Sequence, residues 1–153
     1  RHQAYTTQII LHQKQLSRRS LKNENLCLDN GVHYNLLETG EQIDGAFSLE
    51  GTDYLFEAKW QSNPSGTSDL DSFCGKIARK LDNTLGVFLS INGFSPDAAT
   101  IHSTGRSTML LMDGADLMAV LEGRIDFVSQ LIKKRRHAAQ TGNIYLPIRD
   151  EFV

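Results

Sequence analysis

The chain has little cysteine. Cys27 and Cys74 are its two thiols, and no ligand-like spacing relates them. A disulfide between them is open to the chain but unneeded, and a reducing cytoplasm is the expected setting. No secretory signal pattern opens the sequence, and no apolar run is long enough to cross a bilayer. Positive charge is not in excess: 16 Lys and Arg stand against 18 Asp and Glu, for a net charge of −2. A polyanion held by a global basic field is thereby excluded, so any nucleic acid must be met by local patches. There is no glycine-rich phosphate loop, which counts against a sugar or nucleotide enzyme on an α/β fold. Internal repeats and low-complexity tracts are absent as well. What is left is 153 residues, 40% apolar and 22% charged, the size and composition of one globular domain with a real core. The sequence opens without methionine, and the expectation is a single domain over residues 1–153, excised from a larger protein.

The most informative stretch runs from Glu41 to Gln61. It reads as a β-hairpin, with Ile43 to Leu49 as one strand, Asp53 to Trp60 as the next, and Glu50-Gly51-Thr52 as a short loop. Tyr54, Leu55 and Phe56 are good strand formers. Charged residues stand where a half-buried strand should be apolar: Asp44 on the first strand, Glu57 and Lys59 on the second. Side chains two apart share a face, so Glu57 and Lys59 point one way and Ala58 the other. A loop this short brings Asp44 near Glu57. Two carboxylates held close repel unless a cation or a proton lies between them. With backbone and water oxygens they make a hard-oxygen site suited to Mg²⁺, and Mn²⁺ can substitute. Cleaving a phosphodiester needs a polarising cation, a water of lowered pKa, and charge against the transition state. In that chemistry Asp44 and Glu57 hold the metal, the Ala58 carbonyl adds a ligand, and Lys59 meets the attacking water or the scissile phosphate. Gln61 shares the Lys59 face and is a supporting donor to water or phosphate. The plain alternative is a surface hairpin with a Glu-Lys pair on its wet side.

Gln42-Ile43-Asp44-Gly45 followed by Glu57-Ala58-Lys59-Trp60-Gln61 resembles the core of the PD-(D/E)xK nuclease superfamily, and most of all its Mrr-type restriction endonuclease branch. Phe73-Cys74-Gly75-Lys76, Gly86-Val87-Phe88-Leu89-Ser90, Gly93-Phe94-Ser95 and Met112 to Leu117 match downstream. The resemblance covers about Leu36 to Glu122. Each motif is weak alone, and the ordered set is fairly specific. It implies a restriction-endonuclease-like α/β core: a central mixed β-sheet flanked by helices on both faces. It also implies Asp44, Glu57 and Lys59 as the catalytic set, a divalent metal, and DNA as partner. Many members carry a further acid on the first helix. None stands between Arg1 and Lys22 here, which leaves one metal or two open.

The rest of the chain fits around that core. Ala4 to Ser20 reads as a helix, and residues 1–22 hold five Lys and Arg, so Arg18 and Arg19 are candidate phosphate contacts. Val32 to Leu37 is a candidate strand after a transition over Leu26 to Asn30. Glu38 and Glu41 lie close in sequence to Asp44. Ser62 to Ser68 is a polar, mobile loop at the end of the catalytic strand, where a lid or a DNA-contacting loop belongs. Ser68 is the expected cap of a helix with a Leu70, Phe73, Ile77, Leu81 stripe. Lys76 lies off that stripe and is a candidate phosphate contact. Leu85 to Ile91 is nearly all apolar, as befits a central strand covered on both faces. Ser95 caps the next helix with Pro96 at its first position. Thr108 to Met112 is a strand, Ala115 to Leu121 a helix, and Phe127 to Ala139 a last helix ended by Gly142. Its Lys133-Lys134-Arg135-Arg136 run is explained by the helix dipole before DNA. Ile144 to Ile148 is placed to pair with a sheet edge.

Two functions compete on this reading. One is a metal-dependent DNA endonuclease of restriction or anti-phage defence. The other is an inactive nuclease-like fold that binds nucleic acid or dimerises. Neither involves a membrane, and a homodimer or a larger parent protein suits both.

Overall fold

The computed structural model describes residues 26–27, 33–35 and 45–151, the first two stretches as backbone. The helix expected over Ala4 to Ser20, with Arg18 and Arg19, lies outside the described residues, as do Glu38, Glu41, Ile43 and Asp44. Among the described residues six strands form one sheet, ordered as they occur in the chain. They are β1 (Leu26–Cys27), β2 (His33–Asn35), β3 (Gly45–Leu49), β4 (Thr52–Lys59), β5 (Leu85–Ser90) and β6 (Met109–Asp113). Strands β1 to β4 run antiparallel, and β4, β5 and β6 run parallel. The short β1 falls in the stretch expected to be a transition.

The β3–β4 turn is tighter than the expected three-residue loop. Glu50 at φ 50 and Gly51 at φ 75 both occupy the left-handed region, the backbone of a two-residue turn whose twist matches its strands. Glu50 bears this conformation without a glycine's freedom, and the Arg135 guanidinium holds its carboxylate at 2.5 Å. Across the pair, Phe47 stacks on its register partner Tyr54 at 5.0 Å between ring centres.

Parallel neighbours require crossovers, and helices supply them. Helix α1 (Thr67–Ala78) joins β4 to β5, and α2 (Pro96–Ser103) joins β5 to β6. Helices α3 (Gly114–Leu121) and α4 (Phe127–Thr141) follow. Strand alternation divides the core in two. Tyr54, Phe56, Val87, Leu89, Leu110 and Met112 pack with Leu117 of α3 and Leu131 of α4. Leu55, Phe88, Met109 and Leu111 pack with Leu70, Phe73 and Ile77 of α1 and Ala98 of α2. The architecture is thus the expected one, a mixed sheet with helices on both faces. Strand β5 is interior and buried along nearly its whole length, as its apolar run requires. The free edge of β6 is covered where the Leu111 N–H donates to the Ile144 carbonyl at 3.0 Å.

Several boundaries differ from expectation for local reasons. Helix α1 is capped at Gly66 rather than Ser68, because the Asp69 carboxylate reaches back to the Gly66 N–H at 3.1 Å. It ends at Ala78, so Leu81 is off the helix and 77% exposed instead of on the stripe. The loop expected to be mobile is pinned at its middle. Ser65 is fully buried, its N–H donates to the Gly93 carbonyl at 2.9 Å, and its carbonyl accepts from the Ser95 N–H at 2.9 Å. Buried backbone groups need such partners, so this loop behaves as an extra parallel bridge to Phe94.

Helix α1 lies close on β5 because Gly86 has no side chain. A Cβ there would stand 2.3 Å from Ile77 Cδ1 and 2.6 Å from Phe73 Cε1. Gly86→Val is expected to lower stability by about 1–3 kcal/mol through overpacking. A urea melt with unchanged m-value would register it; equal midpoints would mean that α1 shifts freely.

Candidate active site

Glu57 and Lys59 occupy the last turn of the pleat of β4, on the same face as Leu55 and beneath α1. Ala58 turns to the opposite core. Their exposure differs. Glu57 is 7% exposed, whereas the Lys59 side chain is 38% exposed, so the carboxylate lies inside the rim and the amine reaches across it.

Helix α1 supplies a partner of opposite charge to each. The Lys76 amine donates to Glu57 Oε2 at 2.7 Å, both side chains being nearly buried. Lys59 Nζ lies 3.7 Å from Asp69 Oδ1, a longer contact in a wetter place. Asp69 thus both caps α1 and faces Lys59. Sequence reading missed Asp69 as a site residue and Lys76 as the partner of Glu57. A signal existed: Asp69 and Lys76 are seven apart, two helical turns, and so share the face of α1 that looks at a strand carrying Glu57 and Lys59. The geometry leaves the Lys76 amine committed to Glu57 rather than presented outward.

Backbone contacts fix the strand end. The Lys59 carbonyl accepts from the Ile91 N–H at 3.1 Å, and the Gln61 carbonyl accepts from the Asn92 side-chain amide. Alternation turns the Ala58 carbonyl away from β5, toward the side where β3 lies. Lys59 pairs in register with Ser90, and Ser90 with Asp113. The buried Ser90 hydroxyl donates to the Gly93 carbonyl at 2.6 Å and lies 2.8 Å from Ser65 Oγ. The floor beside Lys59 is therefore rigid.

Among the described residues no group of three or more His, Cys, Asp and Glu side chains could hold a metal ion. Of the two expected carboxylate ligands, Glu57 is described and Asp44 is not. The Glu57 carboxylate is a hard-oxygen donor of the kind a divalent cation would use, and in the structure it is ion-paired with the Lys76 ammonium. A cavity of about 490 Å³ lies elsewhere, around Phe94, Pro96, Thr100, Asn143 and Tyr145, and includes neither Glu57 nor Lys59.

Of the basic run of α4, Lys134 is buried, Arg135 is half-buried, and Lys133 and Arg136 are exposed. Lys134 is buried and donates to Asp116 Oδ2 at 3.0 Å and to the Leu146 carbonyl, with Glu151 Oε1 at 3.5 Å. Lys133 donates to the Glu151 carbonyl, and Arg135 to Tyr54 and Glu50. Neither the helix dipole nor DNA is needed to explain these three.

A family model for the catalytic domain of Mrr-type restriction endonucleases matches residues 24–121, more than half of the chain. The chain belongs to the Mrr-type restriction endonuclease family. No curated protein matches. Two solved structures are similar. One is titled "MspJI Restriction Endonuclease in Complex with 27-mer Oligonucleotide", with 14% identity, a TM-score of 0.48, and coverage of 94% of this chain and 32% of that one. The other, the DNA modification-dependent restriction endonuclease AspBHI, has 11% identity, a TM-score of 0.44, and coverage of 90% and 36%. The chain spans about a third of the length of each. Likeness of that degree carries no residue roles. No helix among the described residues is long and apolar enough to cross a membrane.

Proposed function

We propose that this chain is the nuclease domain of a restriction enzyme and hydrolyses DNA phosphodiester bonds with one or more divalent metal ions, Mg²⁺ first. The observation that carries the proposal is the placement of Glu57 and Lys59 together at the end of the central strand, one buried and cation-paired, the other reaching solvent. Gly45 pairs with Phe56, and Asp44 precedes Gly45 in the sequence.

In this reading Asp44, Glu57 and the Ala58 carbonyl would hold the metal, which would supply polarisation of the phosphate and a water of lowered pKa. Lys59 directs its ammonium at the phosphate oxygen on which negative charge grows. Asp69 holds Lys59 over the site without burying it. Gln61, just past the strand end, orients the water or the phosphate. Arg18, Arg19 and, once released from Glu57, Lys76 are the candidate backbone contacts.

The test is incubation of supercoiled plasmid and of single-stranded RNA with Mg²⁺, Mn²⁺ or EDTA. Metal-dependent nicking of the plasmid is the expected result. Binding of DNA without cleavage under any divalent metal would assign the chain to the alternative class, a nuclease-like fold used as a binding module. Cleavage of RNA alone would change the substrate.

A further inference from the structure

We propose that the segment from Leu146 to Glu151 is a proton-coupled strap. It closes on α3 and α4 as the buried cluster of Asp116, Lys134 and Glu151 takes up one proton from solvent, and it loosens as that proton leaves. The device uses no residue of the nuclease site.

The segment includes the short helical turn Ile148–Asp150, which lies against α3. Helix α4 holds two of its backbone carbonyls. Lys134 donates to that of Leu146, and Lys133 to that of Glu151 at 2.9 Å. The Glu151 side chain enters the same dry place as Lys134 and Asp116, and all three are inaccessible to solvent. One ammonium there faces two carboxylates, and its hydrogens are already directed elsewhere. Asp116 Oδ2 takes one at 3.0 Å, and the Leu146 carbonyl takes another. Glu151 Oε1 stands at 3.5 Å, and neither oxygen of that carboxylate has a hydrogen-bond donor. Asp116, by contrast, also accepts from the Gln130 side-chain amide at 3.2 Å and from the Asp113 N–H at 2.9 Å. Gln130 Oε1 is buried without a donor as well.

The cluster is therefore short of hydrogen, not of oxygen. Two carboxylates that share one cation in a dry site disfavour the doubly charged state. A proton removes the surplus charge and supplies a missing donor. When the strap is open, water solvates the Glu151 carboxylate and the surplus disappears. Closing thus binds a proton. The Asp116 carboxyl agrees in direction, since burial pushes it from 3.8 to about 6 although the Lys134 charge pulls it down. Nearby charges leave the balance negative. Asp113 caps α3 and accepts from the Tyr145 hydroxyl. Lys133 is on a backbone carbonyl, and Arg149 is 81% exposed beside Asp150. The sign follows: the closed form, with the higher proton affinity, is favoured in acid. Its advantage declines as pH rises from about 4 to about 6 and then levels off.

The experiment is amide hydrogen exchange of the full chain, read by mass spectrometry on the peptide that holds the Asp150 and Glu151 amides. These amides donate to the Pro147 and Ile148 carbonyls in the closed turn. Rates are divided by each amide's intrinsic rate, with β5 amides as the reference for global unfolding. In wild type the opening constant is expected to rise about tenfold between pH 5 and pH 7.5. Glu151→Gln, which keeps the shape and removes the charge, should vary less than about twofold over that range and open less than wild type at pH 7.5. Asp150→Asn, an exposed neighbour, should keep the wild-type slope. A wild-type opening constant that does not change with pH overturns the proposal by itself, whatever the variants do. So does a Glu151→Gln slope equal to that of wild type. More opening by Glu151→Gln at pH 7.5 overturns it too, because the Lys134–Glu151 contact would then be an ordinary stabilising ion pair. Loss of the slope in Asp150→Asn would make the effect one of general charge, and the cluster would not be its source.

Discussion

Lys59→Ala is expected to lower single-turnover DNA cleavage by about a hundredfold to a thousandfold, the scale of removing one donor aimed at transition-state charge. DNA affinity and stability should hardly change. The reason lies in when the interaction forms. A charge that acts on the transition state is little used in ground-state binding, so its loss falls on the rate rather than on affinity. Stability is spared because the Lys59–Asp69 contact is 3.7 Å long and part-exposed. Such surface pairs contribute about 0–1 kcal/mol. The comparison needs cleavage at saturating metal, DNA binding at fixed salt, and a thermal melt. A variant that cuts as fast as wild type would make Lys59 a structural residue and remove the most specific part of the motif.

Lys134→Met is expected to cost about 3–5 kcal/mol of stability near pH 8, the range for removing one partner of a buried ion pair. Lys134 and Asp116 are both inaccessible to solvent, and the Glu151 side chain that faces them is too. The loss should be smaller at pH 5. Burial pushes the Asp116 carboxyl up from 3.8 to about 6, while the Lys134 charge pulls it down. With its folded pKa above its unfolded one, Asp116 binds more protons when folded. Its contribution to stability is thus greatest in acid and declines as pH rises from about 4 to about 6. Without Lys134 the carboxyl rises further and takes up a proton, which removes most of the stranded charge at pH 5. The surrounding groups are Asp113, which adds to the upward shift, Glu151, Gln130 at 3.2 Å from Asp116 Oδ1, and Tyr145, whose hydroxyl donates to Asp113. Urea melts at the two pH values measure the difference. Equal losses at both would mean that Asp116 stays charged without its lysine.

These two residues mark how far the sequence could be read. Local signals were legible. Glu50-Gly51 made a turn, the Leu85 to Ser90 run made an interior strand, Ser95-Pro96 opened a helix and Gly142 closed one. Each depends on a few adjacent residues and on backbone preferences that act over that range. The Glu57-Ala58-Lys59 pattern was legible for the same reason, since strand alternation alone puts Glu57 and Lys59 on one face. Pairings across the fold were not. Lys76 meets Glu57 from 19 residues away, Lys134 meets Asp116 from 18, and Arg135 meets Glu50 from 85. A run of four basic residues on a helix suggests a solvated face, yet Lys134 is buried because Asp116 and Glu151 are there to receive it. The loop after β4 was misjudged on composition. Its serines and glycine suggest mobility, but Ser65 finds Ser90 and the backbone of Gly93 and Ser95.

The central claim is that a metal held at Glu57 drives DNA cleavage beside Lys59. Its most direct test is single-turnover nicking of supercoiled plasmid by wild type and Glu57→Gln, side by side, across a Mn²⁺ titration with an EDTA control and a matched thermal melt. The account predicts nicking by wild type that rises with Mn²⁺ and vanishes in EDTA, and none by a folded Glu57→Gln. Nicking by Glu57→Gln at the wild-type rate, or wild-type nicking that persists in EDTA, would contradict it.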